Sequence, residues 1–206
     1  RRKLPHFQPA EATFFMTFRL AGSIPMEVIW RLKENYTLLK KGILEQKDLS
    51  EREQQELIYV EQKRLFAETD DFLDKNLNEP YWLQQKAIAE IVAEAMLYRD
   101  GKQYNLHAYT IMPNHVHMMM TLLPDAPVLF KVMQHLKKNS AIKSNKHLER
   151  VGSEFWEEES YDHIVRDEKE FYRILNYTLH NPVKAGFVKE WQNWPDTFCK
   201  SELLYM

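Results

Sequence analysis

Apolar and polar positions along the chain fall into blocks with two different periods. Thr13-Phe14-Phe15-Met16-Thr17-Phe18-Arg19-Leu20 is aromatic and β-branched and stops at Gly22, which predicts a strand. Pro25 then opens a helical stretch to about Lys41. Residues 48–79 read as a charged helix or helical pair starting near Leu49-Ser50, expected to be an insertion outside the core of one domain spanning 1–206. Between Tyr81 and Tyr98, Ile88, Ile91, Val92, Ala95 and Met96 recur at helical spacing and stop at Asp100-Gly101. Tyr104–Met112 and His115–Leu123 are strand-like runs joined by Pro113-Asn114. A helix is predicted from Pro127 to about His147, and Tyr161-Asp162-His163-Ile164-Val165 supplies another strand. A last helix starts at Asp167 as N-cap, with Glu170 three residues on. It is predicted to end before Pro182, because the residue preceding a proline is pushed out of the α region.

With the insertion set aside, this order predicts an α+β fold. A ferredoxin-like antiparallel sheet is expected, with β-α-β-β-α-β connectivity, helices on one face and a further C-terminal helix.

Composition adds little until it is divided. A net charge of −2 conceals an acidic block: residues 48–79 hold ten Asp/Glu and four Lys/Arg. The remainder has 24 basic and 20 acidic residues, and Pro127 to His147 carries Lys131, Lys137, Lys138, Lys143 and Lys146 with no acid. A basic helix on a near-neutral body is permissive for a phosphate-backbone contact, and equally for a solvated helix face. Cys199 is the single cysteine, which excludes an internal disulfide framework and a Cys-rich zinc site. No apolar run approaches the ~20 residues of a membrane span, and the basic start has no apolar signal region. A soluble cytoplasmic protein with no membrane association and no organic small-molecule cofactor is the expectation.

Candidate chemistry sits on the strand after Pro113-Asn114. Period-2 alternation puts Val116, Met118, Met120 and Leu122 on one apolar face and His115 and His117 on the other. Two neutral imidazoles so placed suit a divalent transition metal, or Mg²⁺ or Mn²⁺ when oxygens complete the shell. Taken alone, a His-x-His pair is more often packing or surface histidine than a metal site. On the last helix Phe171, Ile174, Leu175 and Thr178 form the buried stripe; Tyr177 projects beside it and Asn181 follows one turn later. Tyr177 read without context is an amphipathic core-edge tyrosine, and Asn181 a helix cap.

Four blocks together are more specific. Leu4-Pro5-His6, the run Ala108 to His117 containing Met112-Pro113-Asn114-His115-Val116-His117, the run Tyr161 to Asp167, and Tyr177-Thr178-Leu179-His180-Asn181-Pro182-Val183-Lys184-Ala185-Gly186 resemble, in order, the signature blocks of REP-associated tyrosine transposases. These are relatives of the Y1 (IS200-like) HUH transposases. The resemblance implies a metal-dependent nuclease that cleaves and rejoins hairpin-bearing single-stranded DNA through a 5′-phosphotyrosine. It assigns the metal ligands to His115 and His117, the nucleophile to Tyr177 and a third ligand to Asn181, with supporting roles for Asn114 and Asp162. A divalent ion, Mg²⁺ or Mn²⁺, and hairpin single-stranded DNA are the implied cofactor and partner, and the protein works as a monomer or homodimer. Charge adds Arg2, Lys3, His6, Lys137, Lys138 and Lys143 as DNA-binding candidates, with Arg19 and Arg166 behind them. Two other readings compete: a domesticated hairpin-binding module without cleavage, and a phosphodiesterase in which water attacks.

Overall fold

The computed structural model describes residues 11–75 and 80–204. The chain forms two compact units, Gly22–Glu79 and the remainder, Arg1–Ala21 with Pro80–Met206.

The Gly22–Glu79 unit consists of α1 (Met26–Glu45) and α2 (Glu51–Lys75). Ser50 and Glu53 form a reciprocal capping box at the start of α2: the Ser50 amide donates to the Glu53 carboxylate at 2.8 Å, and the Glu53 amide to Ser50 Oγ at 3.3 Å. Leu32, Tyr36 and Leu39 of α1 line a groove with Leu65 of α2, and the Gln62 amide donates to Tyr36 Oη at 3.2 Å. The helix opened by Pro25 therefore belongs with the charged helix. The separate unit begins at Gly22, earlier than residue 48, where the acidic composition starts.

The other unit holds β1 (Thr13–Arg19), α3 (Lys86–Leu97), β2 (Tyr104–Ile111), β3 (His115–Leu122), α4 (Leu129–His147), β4 (Tyr161–Ile164), α5 (Glu168–Lys184) and β5 (Thr197–Cys199). Its sheet has the order β4-β1-β3-β2-β5, antiparallel at every pairing. The first four neighbours, with α3 and α4 as crossovers, make the expected ferredoxin-like β-α-β-β-α-β arrangement. The edge strand β5 has no signal in the sequence: three residues are too few to show a period. It is placed by contacts, the Ile111 amide donating to the Asp196 carbonyl and Trp194 Nε1 to the Ile111 carbonyl, both at 2.9 Å.

One face of the sheet is the core. Phe14, Met16, Phe18 and Leu20, with Val116, Met118, Met120 and Leu122, pack on Ile88, Val92 and Met96 of α3 and on Val132, Met133 and Leu136 of α4. The register slips in β2, where Leu106 pairs Met120 while Ala108 pairs Met119. The extra residue, His107, is a β-bulge that resets parity, so both Leu106 and Tyr109 reach the core. It also turns His107 to the opposite face, where Nε2 lies 2.6 Å from Thr121 Oγ1. In β3 a slip of one residue would exchange the four buried apolar side chains for His115, His117, Met119 and Thr121. At about 1.5–3 kcal/mol per buried side chain, that is roughly 6–12 kcal/mol, so the histidines are held on their face by the residues between them.

The second face carries α5. The pattern predicts that this helix stops before Pro182, but it runs through the proline to Lys184. A proline inside a helix removes the amide that would bond the carbonyl four residues back, here Thr178. That carbonyl instead accepts from Thr110 Oγ1 of β2 at 2.8 Å. Since the Thr110 hydroxyl proton is committed there, Thr197 Oγ1 is the donor in its 3.1 Å bond to Thr110. The helix closes at Gly186, φ 79°, with the Phe187 amide on the Pro182 carbonyl and the Gly186 amide on Val183, a Schellman motif. At its start Asp167 caps the Glu170 amide at 2.7 Å, and the Glu170 carboxylate accepts from the Arg166 amide and contacts His163 and Arg173.

Lys137 of α4 does not reach outward. Its ammonium donates to the Glu157 carbonyl at 2.5 Å, the Glu158 carbonyl at 2.9 Å and Ser160 Oγ at 3.2 Å, pinning the segment that enters β4. Desolvation outweighs the neighbouring Glu157 and Glu158 and brings its pKa down to about 8. An unfolded chain therefore binds a proton between about pH 8 and 10.5 that the folded one releases, so this residue's contribution to stability rises with pH across that window. Denaturant unfolding of the protein and of Lys137→Gln, compared from pH 7 to 11, should show the difference moving by about 1–3 kcal/mol in favour of the parent. Among the described residues no helix is long and apolar enough to cross a membrane.

Candidate functional site

On the face opposite the core, antiparallel pairing arranges side chains in rows. Thr110, His117, Thr17 and Tyr161 form one row across β2, β3, β1 and β4. Met119, Phe15 and His163 form the next, and His115 stands opposite Arg19 in the row on the other side. Phe15 stacks on the His117 imidazole with centroids 5.5 Å apart.

His115 and His117 are both buried, and their Nε2 atoms face each other at 3.1 Å. Each ring is held from behind. His115 Nδ1 lies 2.7 Å from Asn114 Oδ1, and His117 Nδ1 lies 2.7 Å from Thr17 Oγ1. An amide oxygen only accepts, so His115 carries its proton on Nδ1 and turns the Nε2 lone pair toward its neighbour. Such outer partners fix the ring orientation of metal-binding histidines. A 3.1 Å separation is also that of two nitrogens bound to one ion at about 2.1 Å each. Asn114, adjacent in sequence, was readable as a supporting residue. Thr17 was not, because nothing in the chain pairs it with His117 until the register of β1 on β3 is known.

Tyr177 comes to this pair from α5. Its ring meets His117 edge-on at 5.5 Å and Phe15 at 5.9 Å, and Lys184 Nζ lies 5.7 Å from its centroid. The direction of α5 follows from its contacts. Phe171 packs on His107, which bonds Thr121 near one end of β3, while Tyr177 meets His117 farther back. The helix therefore runs antiparallel to β3, and the turn after Tyr177, bearing Asn181, lies at the level of His115. Asn181 is 1% exposed, yet both its amide nitrogen and its oxygen lack any hydrogen-bond partner. Instead of fraying at the helix end, as expected, it sits within α5. A buried side-chain amide satisfied at neither end costs about 1–3 kcal/mol per group, which fits a position built for something that binds. Asn181→Leu should therefore raise metal-free unfolding stability by about 1–3 kcal/mol, measured in chelator by denaturant titration. A destabilised variant would show that the amide is satisfied in solution.

The basic candidates are dispersed. Lys137 and Lys143 are engaged, the latter with Glu94 at 2.8 Å, and exposed Lys138 lies with them on α4, across the sheet from the histidines. Arg2, Lys3 and His6 lie outside the described residues. Arg19, by contrast, is on the histidine face, its Nη2 3.1 Å from Glu157.

The sheet-bearing unit thus presents a facing histidine pair and, from a separate helix, a tyrosine ring against it. Residues 81–178 match the family model described as transposase IS200 like. A REP-associated tyrosine transposase of Escherichia coli is 24% identical over 97 residues, 47% of this chain and 55% of that protein. A Haemophilus influenzae protein assigned to the same group is 28% identical over 96 residues, 43% of this chain and 54% of that protein. The matched region thus spans about half the length of these relatives. A solved structure of a REP-associated tyrosine transposase bound to a REP hairpin superposes with a TM-score of 0.54 at 16% identity, covering 96% of this chain and 82% of that one, a likeness of fold.

Proposed function

We propose that this protein cleaves and rejoins hairpin-bearing single-stranded DNA by transesterification, with Tyr177 as nucleophile and His115, His117 and Asn181 as the ligands of a divalent ion, Mg²⁺ or Mn²⁺. The observation that supports the reading is a pair of imidazole nitrogens facing each other beside the Tyr177 ring, with the orphaned carboxamide of Asn181 one turn farther along the same helix. An ion held there would supply Lewis-acid neutralisation of the scissile phosphate and help the phenol ionise.

The chain's own groups divide the rest of the work. Tyr177 Oη attacks phosphorus, the P–O3′ bond breaks, and the leaving oxygen takes a proton to become a 3′-OH. The 5′ end stays on tyrosine as a phosphodiester, which keeps the bond energy that hydrolysis would lose. Attack by a 3′-OH on the same phosphorus restores the strand and the phenol. Thr17 and Asn114 keep the imidazoles aimed, and Phe15 walls the site. Tyr177 and the histidines come from one chain, which favours action as a monomer, and a DNA substrate is consistent with a cytoplasmic protein. Exposed Lys138, with Arg2, Lys3 and His6, are proposed contacts for the DNA backbone.

The test is denaturing electrophoresis of a labelled hairpin oligonucleotide incubated with the protein and Mg²⁺ or Mn²⁺. A DNA adduct on Tyr177 is expected. Cleavage without adduct would favour attack by water, and binding without cleavage a pure recognition module.

A further inference from the structure

Arg19 belongs to the histidine face by register, directly opposite His115. On its other side the Glu157 amide bonds the Arg19 carbonyl at 2.9 Å, so His115, Arg19 and Glu157 form one row. Opposed residues in such a row have Cβ atoms about 4.5–5.5 Å apart, so the Arg19 side chain starts beside His115 and ends against Glu157. The Arg19 side chain is 13% exposed, and its guanidinium is bonded to Glu157 Oε2 at 3.1 Å.

An ion pair that is partly buried, the Glu157 side chain being 30% exposed, is weak evidence of a stabilising role, because desolvation and screening offset its attraction. Nor does the fold depend on it to hold this edge. Backbone bonds from Glu157 to Arg19 and from Ala21 to Phe155, the Lys137 ammonium on the Glu157 and Glu158 carbonyls, and Trp156 Nε1 on Ser140 Oγ at 2.9 Å already do so. What the pair does is fix a cation beside the histidines.

We propose that Arg19 is a catalytic residue that grips the scissile phosphate, with Glu157 positioning its guanidinium. This rests on the tyrosine-transfer reading above. A planar guanidinium can meet a carboxylate along one edge and phosphate oxygens along another, and does so without rearranging when charge builds on those oxygens. Burial lowers the Arg19 pKa and Glu157 and Glu159 oppose that shift, so the group stays a cation and takes no part in proton transfer. The bond made is Tyr177 Oη to phosphorus and the bond broken is P–O3′.

The experiment measures the rate of adduct formation on the hairpin oligonucleotide with saturating Mn²⁺, alongside binding by fluorescence anisotropy and thermal unfolding. Arg19→Gln should slow the adduct by at least about 100-fold while DNA affinity falls by much less. Glu157→Gln breaks the same ion pair and should slow it only about tenfold, since the cation remains. Equal losses in the two variants would mean that the pair is structural, and a normal rate in Arg19→Gln would likewise overturn the assignment. If Arg19→Gln unfolds, Arg19→Lys decides: a slowed step supports the bidentate role, and the parent rate refutes it. A parent protein that forms no Tyr177-dependent adduct would overturn both this proposal and the reading beneath it.

Discussion

Tyr177→Phe should abolish the covalent protein–DNA adduct while leaving the protein folded and able to bind hairpin DNA. The substitution removes one oxygen from a ring whose neighbours, His117 and Phe15, both meet it at steep interplanar angles. Packing is unchanged and Tyr177 is only partly buried, so stability should fall by no more than about 1.5 kcal/mol, the value of one hydrogen bond. Adduct formation, in contrast, depends on the Tyr177 hydroxyl under the proposed mechanism, and the expected loss is complete within detection. The measurement is denaturing electrophoresis with end-labelled oligonucleotide, with circular dichroism as the folding control. Persistent strand cleavage in Tyr177→Phe would transfer the nucleophile's role to water, and a persistent adduct would transfer it to another side chain.

His117→Ala carries the second large effect, and it can be read without any turnover. If His115 and His117 share an ion, Mn²⁺ at about 100 times its Kd should stabilise the parent by about 2.7 kcal/mol, and the variant should show almost none of that shift. Cleavage should fall by about 100-fold or more, as it does when a preorganised electrostatic partner of a developing charge is lost. The substitution also takes away the partner of Thr17 and the ring against which Phe15 stacks, so a metal-free loss of about 1–3 kcal/mol is expected. A metal-induced stabilisation of equal size in parent and variant would place the ion elsewhere.

The order of strands and helices in the sheet-bearing unit could be read from the chain, because its periodic segments are long and its core face is uniformly apolar. The alternation in β3 fixed both which residues enter the core and which two histidines leave it. The association of α1 with α2 was not readable. Its inner stripe, Leu32, Tyr36 and Leu39, has the spacing of any amphipathic helix and does not name its partner. In the site, Tyr177, His115, His117 and Asn181 lay within the signature blocks. Thr17 and Arg19 act through register, a long-range property with no local trace. Lys137 looked like a surface cation from composition alone, whereas its surroundings in the fold turn it inward onto backbone carbonyls.

The proline in α5 bears on how accurately Tyr177 is placed. Along a regular helix every backbone carbonyl but those of the last turn is already bonded, so a hydroxyl on the sheet has no reason to prefer one position to the next. Pro182 leaves a single vacancy in that ladder, at Thr178, and Thr110 occupies it. Sliding α5 by one turn, about 5.4 Å, would present Thr110 with a saturated carbonyl and strand the Thr178 oxygen in a buried place. The missing amide thus works as a detent: it gives an otherwise smooth cylinder one resting position, with Tyr177 on one side of the catch and Asn181 on the other.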